Sequence, residues 1–238
     1  MNIKMDQISI GDLTIEVVRK NIKNLHLAVY PPDGRVRIAA PLNFDDDAIR
    51  LFALAKLAWI KQKQRNFINQ ERQSSRQFVD RESHYFKGSR YLLRIIEHNS
   101  GAKIEIKRKP YIDLYIRPNT STKRRQQLIN EWYRNYLKQE IPRLIEKWEQ
   151  LIGVKVNGYG VKLMKTKWGS CNILAKWIWL NLELAKKPVR CLEYVIVHEM
   201  VHLLERRHND YFKQLMDKFM PQWRMYKEEL NTLTPSTN

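Results

Sequence analysis

His198-Glu199-Met200-Val201-His202 is the stretch of this chain whose residue types and spacing point most directly to chemistry. In an α-helix, residues i and i+4 are separated by about 400° of rotation and so share one face. His198 and His202 can therefore offer two imidazole nitrogens to a single metal ion. Glu199 falls beside such an ion, where a carboxylate serves as general base. Zinc suits two imidazoles plus a third ligand, with a fourth position left for water. The competing account is a surface helix that happens to carry His and Glu. It fits poorly with the clustering, since three of the six histidines lie between residues 198 and 208.

His208 is the expected third ligand. On a straight helix it would sit about 240° away from His202, so the helix must end or unwind between Leu203 and Arg207. Glu205, Asp210, Glu228 and Glu229 compete for the role, but imidazole suits zinc best among them. The spacing HExxHxxxxxH is that of metzincins, which carry Gly where this chain has Glu205. That departure argues against a true metzincin.

The elements that must position these residues follow from the hydrophobic pattern. Leu192, Val195 and Ile196 precede the histidines at helical spacing, and Pro188 suits the start of that helix. Trp177 to Leu182 reads as a strand with both tryptophans on one face, a core arrangement more than a ligand platform. Val154 to Lys167 reads as one or two strands. Further helices are expected over 210–219 and after Pro221. Thr122 to about Leu151 reads as a long helix that Pro142 can kink.

Upstream, residues 8–117 read as β-rich with one helix. Leu13, Ile15 and Val17 alternate, and Leu25–Val29 with Val36–Ile38 form a hairpin about Pro31-Pro32-Asp33-Gly34. Asp45-Asp46-Asp47 opens an amphipathic helix from Ala48 to about Gln73. A second hairpin is expected from Tyr91–Ile96 and Lys103–Lys107 about Asn99-Ser100-Gly101, followed by a strand over 111–117. No internal repeat is evident. The fold class is α+β: a β-rich part with one helix over 1–118, a zincin-like domain over 119–234, and a loose tail, 235–238.

Composition bounds the rest. A 238-residue chain that is 43% hydrophobic can bury a core. Leu51–Ile60 is too short to span a bilayer, and residues 1–11 lack the apolar run of a secretory signal. Two cysteines make no disulfide framework, so a reduced, cytoplasmic setting is expected. The formal charge of +18 invites nucleic acid, an acidic partner or an anionic substrate, although a solvated basic face accounts for it equally well.

The order KTKWGSCN, WIWLNLELAKKP, CLEYVIVHEMVHLLERRHNDYF and PQW resembles the YgjP-like metallopeptidases, a bacterial group of zinc-dependent hydrolases. The segment VVRKNIKNLHLAVYPPDGRVRIAAP extends the likeness towards the N-terminus. The resemblance implies a metal site at His198, His202 and His208, with Glu199 catalytic. One departure is Lys167, where Arg is usual before WGSC, and the two are not interchangeable in bidentate contacts.

These readings converge on a zinc-dependent peptidase. Its Glu199 removes a proton from water as the water attacks a carbonyl. Trp168, Gly169 and Ser170 are candidates to border the substrate, with Gly169 permitting close backbone approach. Trp168 and Gly169 could equally form a packing corner. Tyr211 and Lys167 are oxyanion-donor candidates by type alone. Cys171 is read as a structural thiol, and His26, His84 and His98 as surface or hairpin residues. A metal-dependent nucleotide or phosphoester hydrolase is the alternative, but no phosphate-binding loop supports it. A nucleic-acid-associated protein of restriction–modification loci is another.

Overall fold

The computed structural model describes residues 5–30, 33–69 and 77–232. The chain divides into two compact units, Met1–Gln73 and Ser74–Ser236. Among the described residues, no helix is long and apolar enough to cross a membrane.

The first unit holds strands β1 (Met5–Ile10), β2 (Leu13–Lys20), β3 (His26–Tyr30) and β4 (Arg35–Pro41) in the order β1-β2-β4-β3. The expected hairpin is β3–β4. Its Pro31 and Pro32 lie outside the described residues. Ile15 and Val17 point into the core, while Glu16 between them faces outwards to Arg37 at 2.7 Å. Helices α1 (Asp46–Ala55) and α2 (Leu57–Asn69) add Ile49, Ala53 and Ile60 to that core. Asp45 caps α1 by accepting the Ala48 N–H. The single helix expected from Ala48 is instead two, because Lys56 leaves helical geometry at φ −106°, ψ 4°. The expected end of that helix, 70–73, and the tail, 235–238, lie outside the described residues.

The second unit begins with β5 (Ser83–Phe86), β6 (Ser89–Glu97), β7 (Lys103–Glu105) and β8 (Tyr111–Ile116), ordered β5-β6-β8-β7. The hairpin expected between Tyr91–Ile96 and Lys103–Lys107 does not form, since β8 lies between β6 and β7. The reason is burial. Ile112, Asp113, Leu114 and Ile116 of β8 are all enclosed, which demands a central strand, whereas short, half-exposed β7 suits an edge. Asp113 tolerates enclosure because Arg94 grips both its oxygens at 2.7–2.8 Å.

This connectivity repeats that of the first unit: an antiparallel hairpin, a parallel crossover, an antiparallel edge strand, then helix. The duplication is topological. It needs only the same alternation of apolar residues, so it leaves no repeated motif to read.

Helix α3 (Thr122–Ile152) is capped by Ser121 and ends at Gly153, whose φ of +77° suits glycine. Its Ile129, Tyr133 and Leu137 share one continuous core with Leu93, Ile112 and Leu114, and also with Val195 and Met200 further on. Packing therefore groups β5–β8 with the C-terminal helices, whereas the sequence reading joins them to the residues before 118. Long-range side-chain contact decides this, and strand spacing along the chain does not report it.

A third sheet, ordered β10-β11-β9, comprises β9 (Gly158–Lys162), β10 (Gly169–Asn172) and β11 (Trp177–Asn181). Ile178 and Leu180 face the core. Trp177 and Trp179 take the opposite face, each ring lying over Gly158 or Gly160 of β9, where no side chain would fit. A 3-10 turn, Leu182–Lys186, leads to α4 (Val189–Val201), α5 (Asp210–Phe219) and α6 (Trp223–Thr232).

Candidate metal centre

Helix α4 begins after Pro188 and is enclosed on most of its circumference by Leu192, Val195, Ile196, Val197, Met200 and Val201. Only a narrow strip remains for polar chemistry, and His198 and Glu199 occupy it. The helix ends at Val201, just before the expected break. Leu204 and Glu205 both donate their N–H groups to the Val201 carbonyl, which turns the chain back. Asn209 then caps α5 by accepting the Phe212 N–H at 2.9 Å. His208 is held between these two helix ends and swings towards α4.

His198, His202 and His208 offer ring nitrogens that all lie within 4.8 Å of one another. Nε2 of His208 is 2.9 Å from Nε2 of His198. His202 donates from Nδ1 to the Glu205 carbonyl at 3.1 Å, which leaves its Nε2 bare. Nδ1 of His198 is buried without a partner. Burial first, and then the neighbouring imidazoles and Lys227, lowers the His198 pKa to about 3. Burial also lowers His202 and His208. Three neutral imidazoles whose nitrogens converge are the donor set a divalent transition metal takes, so the residues fit such an ion.

The competing ligands are engaged elsewhere. The Glu205 carboxylate accepts the Arg207 N–H, Asp210 pairs with Lys213, and Glu229 pairs with Arg190. Glu228 is exposed. Among the described residues, the three histidines are the group close enough to hold a metal.

Sequence reasoning missed Phe212. Its buried ring lies 4.8–5.0 Å from all three imidazole rings and forms a common floor beneath them. The signal was available: Asn209 is a capping residue, and Phe212 is its N3 position, four residues beyond His208.

Glu199 is 6% exposed. Burial raises its pKa to about 8, and the charge of Lys167 acts in the opposite sense. Edge strand β10 passes directly over it. A Cβ at Gly169 would come within 2.7 Å of Glu199 Oε1 and 2.8 Å of Val195 Cγ1. The close approach that glycine permits at 169 is thus to the glutamate.

The segment leading into β10 is fastened by Asn181, which is completely enclosed. Its Nδ2 donates to the carbonyls of Met164 and Lys167 at 2.9 and 2.8 Å, and its backbone N–H to the Trp168 carbonyl. Its Oδ1 accepts from Glu183 N–H at 3.2 Å. This gives the asparagine of LNLEL a physical role: it sets where Lys167, Trp168 and Gly169 enter the site.

A cleft of about 510 Å³ opens over these groups, and Trp168, Gly169 and Ser170 line it together with the histidines and Glu199. Tyr194 also lines it, one helical turn before His198. Its i−4 relation to the first histidine could have flagged it. Burial holds its phenol protonated well above the ordinary range. Of the two oxyanion-donor candidates, Lys167 lines the cleft and Tyr211 does not. Cys171 lines it too, but burial and then Glu199 push its thiol up to about 11, which disfavours the thiolate a nucleophile requires. Away from the site, His84 sits on the β5–β6 hairpin but is fully buried beside Glu82 and Phe78, while His26 and His98 are peripheral.

A mixed α+β fold thus gathers three imidazoles that could hold a metal ion and a buried carboxylate beneath an edge strand. A family model described as YgjP-like, metallopeptidase domain matches residues 23–233, and the chain belongs to that family. No curated protein matches it.

Proposed function

We propose that this chain is a zinc peptidase in which His198, His202 and His208 hold the ion and Glu199 is the general base. The observation that carries the reading is the meeting of three neutral imidazole nitrogens beside one buried carboxylate. Zinc at such a site supplies Lewis acidity, which acidifies water and polarises the scissile carbonyl.

Glu199 performs the proton work. Its ionised carboxylate, which the nearby Lys167 charge favours against burial, takes a proton from attacking water and returns it to the departing amine. Tyr194 remains a neutral hydroxyl and is the preferred donor to the oxygen that gains charge. Strand β10 has one free edge among the described residues, so an extended peptide can pair with its main chain while Trp168 and Ser170 border the bound segment.

The test is a peptide-library digest with metal analysis of the same preparations. Wild-type protein is expected to carry one zinc per chain and cleave. Glu199→Gln is expected to keep the zinc and lose cleavage. Cleavage by the Gln variant at the wild-type rate would refute the assignment.

A further inference from the structure

We propose that the cleft selects peptides presenting a carboxylate next to the scissile bond, and that Lys167, Arg206 and Lys227 receive it. This deepens the peptidase reading and rests on it. The three cations reach the cleft from separate elements: Lys167 from the segment before β10, Arg206 from the turn between His202 and His208, and Lys227 from α6. All three are exposed.

Among the described residues, none of the three forms an ion pair. By contrast, Arg190, Lys213 and Arg224 are each tied to a carboxylate. The Lys227 ammonium lies over the Trp223 ring, 5.5 Å from its centre, a cation–π contact that holds the charge in place without neutralising it. Among the described residues, Glu199 is the single acidic side chain of the lining, and it lies buried under β10. A neutral peptide leaves this positive charge uncompensated, and a peptide carrying Lys or Arg there opposes it. A carboxylate balances it, whether from an Asp or Glu side chain or from a chain terminus.

The experiment uses the full chain loaded with zinc and matched peptides in two series. One series varies the residue beside the cleaved bond among Glu, Gln and Lys. The other ends the same sequence in a free carboxylate or in an amide, which separates the two carboxylate sources. At low salt, kcat/KM is expected to be at least about tenfold higher with the carboxylate in one or both series, the ratio shrinking as salt rises to 1 M. Lys227→Gln and Lys167→Gln should each reduce that ratio, and Lys227→Glu should move preference towards the Lys peptide.

Equilibrium binding of the same peptides to Glu199→Gln gives a readout free of turnover, and the same order of affinities is expected. Equal cleavage and equal binding across the charge series would overturn the carboxylate inference alone. A zinc-loaded protein that cleaves no peptide of any charge would overturn the peptidase reading as well.

Discussion

The carboxylate of Glu199 occupies the space that a side chain at Gly169 would need, with Oε1 only 2.7 Å from the position of a Cβ there. Gly169 lies on edge strand β10 and Glu199 on the largely buried helix α4, so the carboxylate end of the side chain is what an added Cβ would displace. Gly169→Ala is expected to displace the carboxylate by a few tenths of an ångström or more and lower kcat by about a hundredfold. Zinc content should be unchanged. Kinetics with metal analysis check this, and wild-type kcat in the alanine variant would show that the contact does not position the base.

The buried Glu199 also makes the metal-free protein pH-sensitive. Its folded pKa of about 8 exceeds the ordinary value of 4.5, so the folded state holds more protons than the unfolded state between those limits. Stability on this account falls as pH rises through that window. Glu199→Gln is expected to raise the melting temperature of chelator-treated protein at pH 8 and to leave it nearly unchanged at pH 4.5. A constant difference across the window would contradict the buried, proton-retaining carboxylate.

Phe212 supports three imidazoles at once. Phe212→Ala leaves the ligands in the sequence but removes the floor that holds their rings, and zinc affinity is expected to fall about 10–100-fold. His208→Ala should weaken zinc further. Competition with a chromophoric chelator measures both, alongside circular dichroism to confirm the fold.

Asn181 satisfies two carbonyls through its amide while wholly buried. Asn181→Ala strands those groups, and a loss on the order of 3 kcal/mol is expected, seen as a lower urea midpoint with an unchanged slope. Because the same amide fixes the entry to β10, the residual folded protein should also show a raised KM.

Tyr194→Phe isolates the hydroxyl. Its removal is expected to lower kcat by about a hundredfold with KM little altered, the pattern of a contact made in the transition state. Equal loss in kcat and in folding stability would point to packing instead.

Much of the site was legible because helix geometry is local. His198, Glu199 and His202 are placed by a period of 3.6 residues, and the same geometry required a break before His208 could join them. The WGSC and LNLEL motifs marked positions without revealing their purpose. The contacts of Gly169 and Asn181 run to residues 30 and 14 positions away, to Glu199 and to Lys167.

By itself the sequence determined the helix that carries His198 and Glu199 and the alternation of most strands, since each depends on residues a few positions apart. Tertiary structure alone decided that β8 separates β6 from β7, that Phe212 closes the underside of the histidines, and that Lys167, Arg206 and Lys227 meet at one cleft. Those outcomes depend on which buried surfaces find each other after the chain has folded back, and no short-range period encodes that choice.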